Sequence, residues 1–331
     1  MGNDNKRVVL ASRPSGWVTE ENFRLEMGPI PKPAEGEVLV RNLWLSLDPY
    51  MRGRMDDAKS YAKSVGIGEV MEGETVGEVL ESRNDKLKEG DKVLARLGWQ
   101  MYGTTREAFR VDETKAPLSY YLGCLGMPGR TAYFGLKEIG QPKPGETVVV
   151  SAASGAVGSV VGQLAKSWGA RVVGIAGGAQ KCAYVKDELG FDAAIDYKAG
   201  NLYRDLKEAC PKGIDVLFEN VGGESLDTCL RRMNVFSRIV ICGLISEYNL
   251  AEPYGYRNMR SVLVNRIRMQ GMIVFDWRER YGEALRALLK MYQEGSLKTR
   301  ESVVEGLENA PRGLISLLKG GNFGKQLVKL A

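Results

Sequence analysis

The hydrophobic pattern of the chain changes character near residue 130. Before that point, short apolar runs alternate with turn residues. Glu37–Leu47 (EVLVRNLWLSL) begins as a strand-like run of Val and Leu and then becomes more continuously apolar. Glu74–Ser82 (ETVGEVLES) follows Gly73, Lys92–Arg96 (KVLAR) follows the turn KEGD, and Thr105–Val111 (TREAFRV) is a further candidate strand. Short strands at such spacing predict a small β barrel or sandwich. Met55–Gly73 fits neither a helical nor a strand period and is expected to form a pocket rim.

After Gly129, buried-type strands alternate with helix-like stretches. The predicted strands are Thr147–Ser151, Arg171–Ala176, Ala193–Asp196, Asp215–Phe218, Val235–Cys242 and Met269–Phe275. Helical spacing runs over 156–168, 181–189, 224–233 and 280–293, and Gly190 supplies a natural C-terminal stop. This alternation predicts an α/β fold with a doubly wound parallel sheet. In the tail, Leu307–Lys319 reads as a helix despite Pro311, and Gln326–Leu330 reads as a strand. Pattern alone assigns the tail to neither half.

Length and composition narrow the chemistry. The 331 residues are enough for two domains. Glycine accounts for 40 of them, about 12% against a usual ~7%, which implies tight turns and close backbone approach. Histidine is absent. Ser-His-Asp and Cys-His nucleophile systems, imidazole bases and imidazole metal ligands are thereby excluded. The five cysteines form no C-x-x-C pair, so neither a disulfide framework nor a thiolate metal site is expected. Free thiols fit a reducing, cytoplasmic setting. The start, MGNDNKRVVLASRPSG, lacks the apolar stretch of a signal peptide, and no apolar run reaches the ~18 residues of a membrane span. The net charge of +5 is interspersed, so neither a nucleic-acid nor a membrane partner is expected.

The strongest local signal is Ser151-Ala152-Ala153-Ser154-Gly155-Ala156-Val157-Gly158, followed by Gly162. It lies between a predicted strand and a predicted helix, the context of a dinucleotide-binding turn. Small residues there let backbone approach a pyrophosphate at the helix N-terminus. Ala153 occupies the first glycine position of the usual G-x-G-x-x-G pattern. At the end of the next strand, Ile175–Lys181 (IAGGAQK) contains no acid and one base. A carboxylate there would bind a ribose 2′-hydroxyl and repel a 2′-phosphate, whereas Lys181 attracts the phosphate. The expected cofactor is therefore NADPH rather than NADH.

These motifs, taken in order, resemble the medium-chain dehydrogenase/reductase superfamily. Within it, the chain is similar to the zinc-independent alkenal, prostaglandin and curcumin reductases. The resemblance runs from Arg13-Pro14-Ser15-Gly16 through Leu47–Arg52 (LDPYMR), Pro128–Tyr133 (PGRTAY), the glycine-rich turn, Glu219–Gly223 (ENVGG) and Cys242–Asn249 (CGLISEYN) to Gly321–Lys325 (GNFGK). It implies a GroES-like β domain over 1–129, completed by 299–331, and a Rossmann-type NADPH-binding domain over 130–298. It also implies a homodimer that extends the nucleotide-domain sheet.

By the same resemblance, Gly155, Ala156, Val157 and Gly158 would hold the pyrophosphate, and Lys181 and Tyr197 the adenosine phosphate end. Asn220 would line the cofactor groove. Cys242, Gly243, Leu244, Ile245, Ser246 and Tyr248 would run beside the nicotinamide ribose. Ile273, Val274, Phe275 and Asn322 would approach the nicotinamide. Cys242 is expected to act through its backbone. The implied reaction reduces the carbon–carbon double bond of α,β-unsaturated ketones and aldehydes without a metal. Hydride adds at the β-carbon, and a hydrogen-bond donor stabilises the enolate oxygen. Tyr248 is the first candidate for that donor and Tyr50 the second, since a phenol is protonated at neutral pH. An NADPH quinone reductase and a catalytically idle cofactor-binding protein are the alternatives.

Overall fold

The computed structural model describes residues 4–331. It divides into one unit made of the chain up to Gly123 together with Glu301–Ala331, and a second unit of Cys124–Arg300. The first unit opens with an antiparallel ribbon of β1 (Asp4–Leu10) and β2 (Phe23–Pro29). A larger sheet is then built from β3 (Val38–Ser46), β4 (Thr75–Ser82), β5 (Lys92–Ala95), β6 (Tyr102–Thr105) and β7 (Ala108–Arg110), with the short helix α1 (Met51–Arg54) after β3. Val38 and Val40 point to the same face of β3, as the two-residue strand period requires, and pack with Val79, Val93 and Ala95. The single strand expected over Thr105–Val111 is instead two. The Thr105 hydroxyl bonds both the amide and the carbonyl of Glu107, so a local turn replaces the ladder there. β6 pairs with β3 and β7 with β5.

In the second unit, α2 (Met127–Phe134) leads through a wide helical turn, Gly135–Gly140, into β8 (Thr147–Val150). There follow α3 (Gly158–Ser167), β9 (Arg171–Ala176), α4 (Ala179–Ala183), β10 (Ala193–Asp196), α5 (Leu202–Ala209) and β11 (Ile214–Glu219). The unit continues with α6 (Gly223–Leu230), β12 (Met233–Ile241), α7 (Arg260–Val264), β13 (Arg268–Gly271) and α8 (Tyr281–Gln293). All six strands are parallel, in the order β10-β9-β8-β11-β12-β13. This is a Rossmann-type sheet. Every residue of β8 is buried, as expected of a central strand covered on both faces. Gly162 lets α3 lie close to its neighbours, because a Cβ there would stand 1.8 Å from the Phe191 ring.

The strand expected over Met269–Phe275 ends at Gly271. Its partner β12 ends at Ile241, and beyond it Cys242 N turns to donate to Glu219 O. Without a ladder to continue, the chain coils tightly over Val274–Arg280.

The C-terminal segment belongs to the first unit. β14 (Glu301–Glu305) lies parallel to β15 (Lys325–Lys329), which pairs antiparallel with β3. Between them, α9 (Ala310–Leu318) carries Pro311 in its first turn, where a missing N–H costs no helical bond. Lys325 is buried and explains two of the sequence motifs: its ammonium bonds Asp48 Oδ1 at 3.0 Å, Leu47 O at 2.6 Å and Gln326 O at 3.0 Å. The GNFGK tail is thus tied to the LDPY turn. Among the described residues, no helix is long and apolar enough to cross a membrane.

Candidate functional site

In a sheet of this order, neighbouring strands β8 and β11 send their following connections to opposite sides. A crevice forms outside their carboxyl ends, the usual ligand position in such sheets. The glycine-rich turn leaves β8 here. Its Ala152 sits at φ 49°, a left-handed conformation uncommon for alanine. A Cβ at Gly158 would stand 2.4 Å from Ala152 O, so only glycine allows the turn to close before α3. Gly155–Gly158 therefore lead into the N-terminus of a ten-residue helix, where backbone N–H groups favour an anion. From the other side of the crevice, Asn220 Nδ2 donates to Ser151 O at 2.8 Å, and Asn220 N donates to Ser151 Oγ at 2.8 Å.

A second cluster forms where β9 and β10 end. Parallel pairing sets Asp196 beside Ala176 and brings the Tyr197–Lys198 pair over the IAGGAQK loop. A Cβ at Gly177 would lie 2.8 Å from the Tyr197 ring and 3.1 Å from the Lys198 side chain. Lys181 is half-buried, and burial together with the Lys198 charge holds its ammonium below the usual lysine range. The nearby acid, Asp196, is committed elsewhere. One of its oxygens accepts from Gly178 N at 2.8 Å and from Lys198 N at 2.9 Å. Lys198 was missed by the sequence reading. The register of β10 on β9 brings it over the loop.

The loop after β12 borders the crevice from a third side. Ile245 N donates to Asn220 O at 3.2 Å and Ser246 N to Val221 O at 3.0 Å, so Cys242–Ser246 run alongside Asn220–Gly223. The Tyr248 hydroxyl folds back to accept from Leu244 N at 3.3 Å, and a Cβ at Gly243 would stand 3.1 Å from it. Gly223 N donates to Glu247 Oε1 at 2.9 Å and to the Tyr256 hydroxyl at 3.1 Å, and Tyr256 in turn donates to Glu247. Burial and Glu219 push the Cys242 thiol up to about 12, so it is no thiolate. After β13, Ile273 is half-buried, Val274 is buried and Phe275 is exposed.

The remaining two candidates lie in the first unit. Tyr50 precedes α1, with the Arg54 guanidinium 5.7 Å from its ring centre. Burial and the charges of Asp48, Glu72 and Glu74 push its phenol well above the ordinary range. Asn322 Nδ2 donates to Gly324 O at 2.7 Å and shapes the turn before β15.

The comparisons with known proteins can be set on this geometry. A family described as the N-terminal domain of oxidoreductase matches residues 6–111, and one described as zinc-binding dehydrogenase matches residues 156–290. The chain is 48% identical to the NADPH-dependent curcumin reductase of Escherichia coli (strain K12), covering 99% of this chain and 97% of that one. It is 44% identical to a 2-alkenal reductase (NADP(+)-dependent) of Nicotiana tabacum, covering 99% and 98%. The chain belongs to the alkenal, prostaglandin and curcumin reductase branch of the medium-chain dehydrogenase/reductase superfamily. A solved structure from this branch, CurA of Vibrio vulnificus in complex with NADPH, superposes with a TM-score of 0.94 at 50% identity over 98% of this chain and 99% of that one. The Escherichia coli quinone oxidoreductase, at 22% identity and a TM-score of 0.79, shares the fold.

Zinc does not fit this member of the superfamily. The chain has no histidine, and Cys210 and Cys229 are locked in the apolar core of the second unit. Burial raises the Cys210 thiol to about 11. Among the described residues, no three His, Cys, Asp or Glu side chains group as a metal site would require. A dinucleotide bearing a 2′-phosphate does fit. The helix N-terminus and close-approach turn suit its pyrophosphate, and the Lys181–Lys198 cluster suits the phosphate on its ribose.

Proposed function

We propose that this chain reduces the carbon–carbon double bond of α,β-unsaturated ketones and aldehydes, with NADPH as the reductant. The observation that carries this reading is near-full-length identity of 48% and 44% to a curcumin reductase and a 2-alkenal reductase. When bound, NADPH supplies a hydride to the β-carbon, the π pair moves toward the carbonyl oxygen, and the α-carbon later takes a proton from water or a tyrosine. Gly155–Gly158 bind the pyrophosphate, and Lys181, Tyr197 and Lys198 bind the 2′-phosphate end. Asn220 and the Cys242–Ser246 backbone line the groove, and Ile273–Phe275 wall the nicotinamide. Tyr248 donates its phenolic proton as a hydrogen bond to the developing enolate oxygen, and its bond from Leu244 N orients it for this. Tyr50 is the second candidate donor by the family resemblance, and its raised pKa keeps it protonated.

The chain acts as a homodimer in this reading. β13 is an edge strand of the parallel sheet, and apolar residues crowd the surface near it. Phe236 is 67% exposed and Leu263 79%, with Val235 and Val264 beside them in sequence and also exposed. An uncovered strand edge with an apolar surround suits pairing with a second copy.

The test follows NADPH oxidation with a short alkenal, curcumin and a quinone, with NADH in parallel. The expected result is turnover of both enones, a saturated-ketone product and a clear NADPH preference. Quinone turnover alone, or tight NADPH binding with no turnover, overturns the assignment. Tyr248→Phe should lower kcat about 10–100-fold while the NADPH Kd moves less than about threefold. Unchanged kcat returns Tyr248 to a structural role.

A further inference from the structure

Glu219, the last residue of β11, is fully buried at the floor of the crevice. Its two carboxyl oxygens are used very unequally. Oε1 accepts from Ser151 Oγ at 2.7 Å, Val221 N at 2.6 Å and Gly222 N at 2.9 Å. Oε2 is buried with no hydrogen-bond partner among the described residues. The backbone carbonyl of Glu219 accepts from Cys242 N at 2.9 Å and Gly243 N at 3.2 Å. One residue therefore joins three connections: Ser151 at the root of the glycine-rich turn, the Asn220–Gly222 loop, and the start of the loop that carries Tyr248.

We propose that Glu219 is a positioning residue, whose Oε1 sets the glycine-rich turn in register with the loop that follows β11. It touches neither cofactor nor substrate and acts through Ser151, Val221 and Gly222. A stable carboxylate spreads its acceptors over both oxygens, and a buried charge with one oxygen unpaired is costly. Burial pushes this carboxyl up from its ordinary value, against the Ser151, Val221 and Gly222 donors, which pull it down. The titratable groups around it, Cys229, Cys242 and Tyr256, add no compensating positive charge. Oε1 is therefore the oxygen the fold uses.

This inference rests on the cofactor reading above, and two ligands separate the two. NADPH spans the crevice, whereas adenosine 2′-monophosphate occupies only the Lys181–Lys198 end. Calorimetric titration of both should show Glu219→Ala weakening NADPH about tenfold or more, with adenosine 2′-monophosphate within about twofold. Glu219→Gln, which keeps an acceptor oxygen and has the shape of the neutral acid, should hold NADPH within about threefold of wild type. If Glu219→Ala fails to fold, Ser151→Ala removes the same link and should weaken NADPH about three- to tenfold with adenosine 2′-monophosphate unchanged. Three results overturn the proposal: unchanged NADPH affinity in Glu219→Ala or in its substitute Ser151→Ala, equal loss for both ligands, or Glu219→Gln as weak as Glu219→Ala. A wild-type protein that binds neither ligand instead removes the cofactor reading, and this proposal with it.

Discussion

The Lys181 ammonium is held below the usual lysine range, by burial first and by the Lys198 charge second. Both causes disfavour its charged form. A phosphate dianion offsets that cost by charge pairing, whereas a bare ribose hydroxyl does not. Lys181→Ala should therefore weaken NADPH about 10–100-fold and NADH less than about threefold, with Lys198→Ala showing the same sign and a smaller effect. Equal losses for the two nucleotides in a fluorescence titration would show that the lysines do not read the 2′-phosphate. One of the Asp196 oxygens accepts from both Gly178 N and Lys198 N, so it ties the loop after β9 to the Tyr197–Lys198 pair.

At the scale of elements, α8 is pinned to α2 by a small polar cluster. The Tyr133 hydroxyl donates to Glu283 Oε1 at 2.8 Å, Lys137 also donates to that oxygen, and Arg280 Nε donates to Oε2 at 2.9 Å. These donors hold the Glu283 carboxyl down at about 2, against an ordinary 4.5. A carboxyl lowered by folding stabilises the native state above its unfolded pKa. That contribution fades as pH falls from about 4.5 and is gone below about 2. Glu283→Gln should lower Tm by about 1–3 °C at pH 7, and the gap from wild type should close progressively in melts between pH 4.5 and pH 2. A gap independent of pH would mean that the cluster acts by packing rather than by charge. The same scale shows where pattern reading stopped. The Met269–Phe275 run looked like one strand because its apolar content is continuous, but a strand extends only as far as its neighbour. Thr105–Val111 failed for the opposite reason, a side-chain turn at Thr105 that competes with the ladder.

At the scale of the whole molecule, the exposed Phe236 and Leu263 near the β13 edge test the assembly. Leu263→Asp places a charge on the proposed interface while leaving the inward-facing Val262 of α7 in place. It should shift the mass measured by light scattering from about twice to about once the chain mass, with the circular dichroism spectrum unchanged. A wild-type protein that is already monomeric at micromolar concentration would remove the dimer.

The sequence by itself determined the alternation of strands and helices after residue 129, the glycine-rich turn in its strand–turn–helix context, the missing acid after the second strand, and the absence of imidazole. These are properties of local spacing and residue inventory, and they need no partner to be read. Its order of motifs also carried the family. Tertiary structure alone decided the rest, because each remaining feature depends on residues far apart in sequence. Lys325 became a buried tether for Asp48 across 277 positions, and Lys198 joined Lys181 only through the register of β10 on β9. Glu219 read as one acid in an ENVGG motif. Only the convergence of separate connections on one strand end made its Oε1 the shared acceptor of Ser151 and the Val221–Gly222 loop, with its backbone carbonyl holding Cys242 and Gly243.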